Sequence, residues 1–188
     1  MSAHDPTILP ADLPVPVDDG AAAHLRGMAL PSIALPATSG PAVDLSRIQG
    51  CAVVFAYPRT GRPGQIALVD DWDLIPGARG CTPHTCGFRD LYAEFMAEGA
   101  RVFGLSTQDT EYQREMVERL HVPFPILSDE KLQLTHALRL PTFEVAGQTL
   151  LKRLAWIACD GIIERVFYPV FPPDRNAGDV LEALRLSP

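Results

Sequence analysis

The chain has 188 residues, of which 47% are hydrophobic and 21% are charged, with a formal net charge of −7 and a sequence pI of about 5.1. This length and hydrophobic share suit one domain with a full core. The acidic balance, without any run of lysine or arginine, argues against nucleic acid and against an anionic membrane as partners. No segment approaches the roughly 20 apolar residues that cross a bilayer.

The N-terminal segment differs in composition from the rest. Residues 1–26 hold four prolines among acidic residues and alanines, which predicts a proline-rich arm ahead of one domain at 27–188. The segment lacks the basic start and unbroken apolar run of a signal peptide, so a cytoplasmic, reducing location is predicted. Four cysteines in a chain of this length do not make a disulfide scaffold, and closely spaced ones are expected to be chemical or metal-binding.

The first predicted elements are β-strands. SIALPATSG and PAVDLS predict a hairpin with Ser39 and Gly40 at its turn. AVVFAY (52–57) is an apolar run typical of a strand covered on both faces. Residues 59–80 are rich in glycine, proline and aspartate, and they predict a long loop of the kind that often carries function.

Helices and strands then alternate. A helix is predicted from Cys81 to a C-terminal cap at Gly99, with four apolar side chains on one face: Phe88, Leu91, Phe95 and Met96. The elements that follow are the strand ARVFGLS, a helix from Thr110, the strand FPILSD, a helix capped by Ser128 or Asp129, the strands RLAWIAC and IIERVFY around Asp160-Gly161, and a last helix with Val180, Leu181 and Leu184. This order predicts an α/β fold with a mixed central sheet flanked by helices, and it resembles a thioredoxin-like core.

The stretch RGCTPHTCGFRD places two cysteines at the start of the predicted helix. At Cys81 the unpaired N–H groups and the helix dipole favour negative charge, and the thiolate is the reactive form of cysteine. If Cys81 and Cys86 are both helical, their Cα atoms are about 8–9 Å apart, beyond the 4.4–6.8 Å of a disulfide. The turn-prone Thr82, Pro83 and Gly87 would let the first turn open. The spacing therefore suits cysteines that are apart in one redox state and joined in the other.

Other interpretations of these side chains remain open from the residues alone. The pair could form a permanent disulfide, could be two inert thiols, or could bind zinc together with His84. His84 itself is predicted to be a solvated residue of the first helical turn rather than an acid or base. Cys51 and Cys159, beside or inside buried-looking strands, are predicted to be inert thiols. Catalysis by Cys81 would also need a cation from elsewhere in the chain, because a shifted thiolate population alone lowers the barrier by under ~2.5 kcal/mol.

The segment GCTPHTCGFRD resembles the GCTxxxCxFRD segment of the Q-type peroxiredoxins, also called bacterioferritin comigratory proteins. MALPSIALPATSGPAVDLSRIQG and FAYP precede this segment as in the family, and RVFGLSTQD, FPILSDE and LLKRLAWIACDGIIERVFY follow it in family order. The resemblance therefore extends over about residues 27–186. It implies a thiol peroxidase that uses neither cofactor nor metal and reduces hydrogen peroxide or organic hydroperoxides. It also implies a thioredoxin- or glutaredoxin-like reductant and a monomer or weak homodimer.

The resemblance also assigns roles to individual residues. Cys81 falls on the peroxidatic cysteine, which attacks the O–O bond and becomes a sulfenic acid. Cys86 falls on the resolving cysteine of the same subunit, which then forms a disulfide with it. Arg153 falls on the arginine that steadies the thiolate and polarises the peroxide, although a charge at a strand end could also be merely solvated.

The chain departs from the family pattern ahead of the peroxidatic cysteine. Where the family has a proline and, nearer the cysteine, a Thr or Ser, this chain has Leu74 and Ala78, within an apparent insertion in the loop 59–80. Thr60, Thr82 or a backbone N–H is predicted to take the place of the missing hydroxyl, and Arg79 to add a second cation. The departure keeps two alternatives open: a thiol–disulfide oxidoreductase acting on proteins, and a non-enzymatic redox sensor or zinc-binding module.

Overall fold

A computed structural model gives the architecture of the chain and describes residues 9–186. The strands and helices in chain order are β1 (Ala34–Leu35), β2 (Val43–Asp44), β3 (Cys51–Ala56), α1 (Cys81–Asp90), α2 (Tyr92–Ala97), β4 (Ala100–Ser106), α3 (Thr110–Leu120), β5 (Ile126–Ser128), α4 (Gln133–Leu138), β6 (Thr142–Val145), β7 (Gln148–Leu151), β8 (Leu154–Cys159), β9 (Ile162–Phe167) and α5 (Asn176–Arg185). Short 3-10 turns occur at Leu45–Arg47 and Trp72–Leu74. Within residues 9–186, no helix is both long and apolar enough to cross a membrane.

The central sheet has five strands in the order β5-β4-β3-β8-β9. β3 runs parallel to β4 and antiparallel to β8, which makes the sheet mixed. Val54 enters one hydrophobic layer and Phe55 the other, so β3 is covered on both faces as predicted. The predicted thioredoxin-like α/β fold is confirmed. Because β3 is central, the segment that leaves its C-terminal end lies over the middle of the sheet.

Most of the predicted elements are present, and the first hairpin pairs Ala34 with Asp44. The helix predicted after Cys81 is divided into α1 and α2 at Leu91. Its predicted apolar face is wrong at Met96, which is 49% exposed, whereas Phe88 and Phe95 are fully buried. Met96 lies about 80° from Phe88 on a helical wheel, at the margin of the face that meets the sheet.

A second hairpin, β6–β7, was not predicted, because its strands have only four residues each and show no clean alternation. Its turn uses Ala146 and Gly147, both with positive φ. The hairpin packs against the loop 59–80, where Trp72 and Ala78 form a small buried cluster with Leu150. The loop is irregular, as predicted, but it has a hydrophobic core of its own.

The described part of the predicted N-terminal arm, residues 9–26, lies on the body of the protein. Ala22 and Leu25 are buried in the main core. Asp19 accepts hydrogen bonds from Lys152 Nζ at 2.6 Å and from the Tyr168 hydroxyl at 2.7 Å. Residues 1–8 of the arm lie outside the described residues, and the boundary at 26/27 remains a prediction.

Cys51 and Cys159 are joined by a disulfide, so the prediction that they are inert thiols is wrong. They lie directly opposite each other in the β3–β8 register. A sequence separation of 108 residues gives no hint of this pairing, which depends on strand register. The disulfide sits at the start of β3, about 17 Å along the strand from Ala56 at its far end.

Removing this cross-link should destabilise the protein, because it closes a long loop in the unfolded chain. The double substitution Cys51→Ser/Cys159→Ser is expected to lower the free energy of unfolding by about 2–4 kcal/mol in denaturant titrations without reductant. Thiol titration of the denatured parent protein should find two free thiols, those of Cys81 and Cys86. A parent with four free thiols, or a double variant as stable as the parent, would contradict a stabilising disulfide.

Candidate active site

Cys81 is the first residue of α1 and is only 3% exposed. The residue before it, Gly80, has φ 99°, and a Cβ there would lie 2.5 Å from Pro173 Cγ. Only glycine fits both this left-handed backbone and the close approach. The turn at Gly80 therefore delivers Cys81 to the N-terminus of a helix, where the backbone N–H groups and dipole favour an anion.

Arg153 lies immediately before β8 and directs its guanidinium at Cys81. Its Nη2 donates to Cys81 Sγ at 3.3 Å. The same nitrogen also donates to three loop carbonyl oxygens: those of Gly77 at 3.1 Å, Ala78 at 3.4 Å and Arg79 at 3.0 Å. Arg153 is 3% exposed, so the alternative of a solvated strand-end charge is wrong. Among residues 9–186 no carboxylate lies within ion-pair distance of it, so no carboxylate neutralises the cation that faces the sulfur.

His84 holds the other side of the same guanidinium. Because guanidinium only donates, Nδ1 of His84 accepts from Arg153 Nη1 at 3.1 Å, and Nε2 carries the proton and donates to Asn176 Oδ1 at 2.9 Å. Burial, followed by the charge of Arg153, lowers the pKa of His84 well below its ordinary value of 6.5. The prediction of a solvated His84 is therefore wrong, because this side of α1 faces the protein interior and the first residue of α5.

Asn176 is a positioning residue that the sequence reasoning missed. It is 3% exposed and bonds to His84, which in turn bonds to Arg153. Nothing local marks it, since an asparagine at the start of a helix is ordinary as a capping residue. Only the packing of α5 against α1 brings it to the site.

A cavity of about 20 Å³ lies over Cys81. The predicted residues Arg79 and Thr82 line it, together with Arg59 and Trp72.

The structure does not bring the predicted Thr60 to the sulfur. Gln108 holds it instead, because the Oε1 atom of Gln108 accepts from both the backbone N–H of Thr60, at 3.0 Å, and its hydroxyl, at 3.1 Å.

The position of Ala78 offers no hydroxyl but does contact the sulfur. The thiol of Cys81 donates to the carbonyl oxygen of Ala78, with Sγ and O 3.5 Å apart. The predicted second cation, Arg79, is 8% exposed and forms an ion pair with Asp73 at 3.5 Å. Thr82, at 2% exposure, follows Cys81 in the wall of the cavity, which makes it the one of the two predicted threonines that lines this cavity.

Cys86 is the second free thiol and lies in the middle of α1. Burial raises its pKa above the ordinary value, which favours its neutral form. Cys81 and Cys86 are not bonded to each other, so a permanent disulfide between them is excluded in this structure. Within residues 9–186, no group of three metal-ligating side chains is close enough to hold a metal ion. Both ring nitrogens of His84 are already occupied, so it is not available for a zinc site.

Comparison with known proteins identifies the class. Residues 25–182 match the Redoxin family model, and the chain belongs to this family. Peroxiredoxin Q, chloroplastic, of Oryza sativa subsp. japonica is 28% identical over 161 residues, covering 85% of this chain and 66% of the rice protein. Peroxiredoxin bcp1 of Schizosaccharomyces pombe is 31% identical over 134 residues, covering 70% of this chain and 58% of the yeast protein.

A solved structure agrees with the sequence relatives. The crystal structure of peroxidoxin BcpB from Mycobacterium tuberculosis superposes with a TM-score of 0.67 at 26% identity, covering 85% of this chain and 96% of that chain. The predicted resemblance to the Q-type peroxiredoxins is therefore confirmed. The chain spans slightly less than two thirds of the length of the rice relative.

The buried neutral His84 predicts a pH dependence of stability. Below pH 6.5 the unfolded chain protonates this ring and the folded chain does not, so the unfolded state binds more protons. The free energy of unfolding should therefore decrease as the pH is lowered, by at most about 1.4 kcal/mol per pH unit for this group. His84→Asn keeps an acceptor for Arg153 but does not titrate. Denaturant unfolding between pH 7.5 and 5 should show a shallower slope for the variant, and identical slopes would contradict a depressed pKa.

Proposed function

We propose that this chain is a thiol peroxidase, in which Cys81 is the peroxidatic and Cys86 the resolving cysteine. The contact of Arg153 Nη2 with Cys81 Sγ at 3.3 Å, at a helix N-terminus that opens on a small cavity, carries the proposal. The substrates are hydroperoxides, with Thr82 and Arg79 as the cavity residues that contact them. A thioredoxin- or glutaredoxin-like dithiol restores the reduced enzyme. No cofactor takes part.

In the first step, the thiolate of Cys81 attacks the nearer oxygen of the hydroperoxide. An S–O bond forms as the O–O bond breaks, and the departing oxygen takes up a proton and leaves as water or an alcohol. Negative charge passes from sulfur to the leaving oxygen, and the guanidinium of Arg153 stabilises it at both positions. His84 and the loop carbonyls fix that guanidinium beforehand, so little reorganisation is needed during the reaction.

In the second step, Cys86 attacks the sulfenic sulfur of Cys81 and releases water, giving a disulfide within the subunit. In α1 the two Cα atoms are about 8–9 Å apart, too far for a disulfide. The first turn of α1 must therefore open, which breaks the hydrogen bond from Thr85 Oγ1 to the Cys81 carbonyl at 3.0 Å. The neutral state of Cys86 keeps this thiol from competing with Cys81 for oxidant in the meantime.

The predicted alternatives receive less support. A thiol–disulfide oxidoreductase acting on proteins needs a sulfur that another protein's disulfide can reach, whereas Cys81 is 3% exposed beneath a cavity of about 20 Å³. A zinc-binding module would need His84 as a ligand, and its ring nitrogens already bind Arg153 and Asn176. A redox sensor that works through Cys81 and Cys86 would use the same first step, the oxidation of Cys81 by a hydroperoxide.

Location and assembly rest on the sequence patterns alone. A cytoplasmic location and a monomeric or weakly dimeric state stay predictions. The Cys51–Cys159 disulfide weighs against a strongly reducing compartment, where such bonds are uncommon, although it is only partly exposed to a reductant.

Single substitutions of the two cysteines should separate the chemical steps. Cys81→Ser is expected to abolish hydroperoxide consumption, because no thiolate remains at the helix start. Cys86→Ser should still consume about one equivalent in a rapid phase and then stop turning over with a dithiol protein reductant. Stopped-flow mixing followed by a peroxide assay measures both. A Cys81→Ser variant as active as the parent would overturn the assignment.

Peptide mapping by mass spectrometry should locate the catalytic disulfide. Before peroxide, only the Cys51–Cys159 link is expected, and after one equivalent a Cys81–Cys86 link should appear beside it. A peroxide-treated protein in which Cys81 remains a thiol, or pairs with Cys51 or Cys159, would contradict the proposed pairing.

Replacement of Arg153 should slow the first step without removing the nucleophile. Arg153→Met is expected to lower the rate of Cys81 oxidation by about 10²–10³-fold, the usual effect of losing a charge-stabilising donor. Lys152→Met is the matched control, because the neighbouring Lys152 forms an ion pair with Asp19 away from the sulfur. The control should keep the parental rate within about twofold. Equal rates for Arg153→Met and the parent would exclude the role given to the guanidinium.

A further inference from the structure

Two cavities meet at Trp72. The inner one is the cavity of about 20 Å³ over Cys81, and the outer one has about 240 Å³ and lies beneath the loop 59–80. Trp72, Arg59 and Gly61 line both, whereas Cys81 and Thr82 line only the inner cavity. Trp72, together with Arg59 and Gly61, therefore lies between the space over the sulfur and a space about ten times larger.

The inner cavity has little space between its walls, and it is only partly enclosed. A cavity needs about 10–15 Å³ to hold one water molecule, so about 20 Å³ holds one or two. Hydrogen peroxide is close to that size, and an organic hydroperoxide with a branched or aromatic substituent is far larger. A space of about 240 Å³, large enough for such a substituent, lies on the other side of Trp72.

Trp72 is held in place by its surroundings. It lies in the 3-10 turn Trp72–Leu74, is 6% exposed, and packs with Ala78 and Leu150. Half-buried side chains surround this cluster, among them Ile75 of the loop and Phe143 of β6. An indole packed on several sides has little freedom to swing aside when a substrate arrives.

The outer cavity has walls that suit an organic substituent. Tyr112 forms one side, with the guanidinium of Arg62 4.2 Å from its ring centre, and Leu68 and Ile66 add apolar surface. If the indole were removed, this space would become continuous with the cavity over Cys81. It would then accommodate the substituent of a hydroperoxide whose O–O group lies at the sulfur.

We propose that Trp72 is a specificity-determining residue that restricts the enzyme to hydroperoxides of about the size of hydrogen peroxide. The proposal rests on the peroxidase function proposed for Cys81 and names its substrate class. It assigns a role to the loop 59–80, in which the chain departs from the family pattern: the loop carries the partition and, through its own buried cluster, fixes it.

The test compares second-order rate constants for oxidation of Cys81 by hydrogen peroxide and by cumene hydroperoxide. In the parent, hydrogen peroxide should react at least tenfold faster, and Trp72→Ala should raise the cumene-to-hydrogen-peroxide ratio at least tenfold. A steric term of this kind is commonly worth about 10–200-fold. Trp72→Phe, which preserves more of the packing, should raise the ratio by a smaller factor. Leu74→Ala is the control, because Leu74 lies in the same turn, is 74% exposed and lines neither cavity.

A second measurement does not depend on peroxidase activity. In the reduced Cys86→Ser protein, iodoacetamide should alkylate Cys81 much faster than the bulkier N-phenylmaleimide does, relative to their rates with free cysteine. Adding Trp72→Ala to the Cys86→Ser protein should reduce the difference between the two alkylation rates.

The outcomes distinguish the two levels of the proposal. A parent that consumes neither hydroperoxide overturns the peroxidase function, and the substrate class falls with it. A parent that consumes both hydroperoxides equally fast overturns only the specificity role of Trp72. A folded Trp72→Ala protein with an unchanged cumene-to-hydrogen-peroxide ratio does the same. If Trp72→Ala does not fold, the ratio in Trp72→Phe and the alkylation selectivity of the Cys86→Ser protein decide.

Discussion

The site depends on one buried cation that faces one sulfur. Arg153 is 3% exposed and has no carboxylate within ion-pair distance among residues 9–186, an arrangement that costs solvation energy and is rarely kept without a use. Loop carbonyls and Cys81 share the Nη2 side of the guanidinium, and neutral His84 accepts a hydrogen bond from Nη1. The cation would stabilise a negative charge on that sulfur or on an oxygen bonded to it. The helix N-terminus of α1 favours the same charge.

The parts of the site that the sequence predicted are those whose signal is local. The segment from Cys81 to Asp90, the strand β3 and the turn at Asp160 each follow from short patterns of residue type, and the family resemblance added Arg153. The parts that it did not predict depend on contacts between distant segments. The pairing of Cys51 with Cys159 requires the β3–β8 register, and the burial of His84 requires α5 to pack on α1. No periodicity or spacing in either segment reports such contacts.

The loop 59–80 and the unpredicted hairpin β6–β7 pack against each other, and neither has a clear sequence pattern. The loop has no period because it is neither helix nor sheet, and the strands of the hairpin are too short for a clear pattern. Together they bury Trp72, Ala78 and Leu150, and Trp72 also lines the cavity over Cys81. Ala78, where the family has a hydroxyl, is buried in this cluster, and its carbonyl oxygen accepts hydrogen bonds from Cys81 and Arg153. The departure in sequence thus coincides with the segment that lines the cavity over Cys81.

The reactivity of Cys81 in the folded, reduced protein tests this electrostatic arrangement most directly. The measurement is the second-order rate constant for its oxidation by hydrogen peroxide near neutral pH, followed by stopped-flow and compared with free cysteine under the same conditions. A sulfur held at a helix N-terminus by Arg153 predicts a rate constant several orders of magnitude above that of free cysteine. A rate constant no higher than that of free cysteine would show that the buried guanidinium does not activate the sulfur it faces.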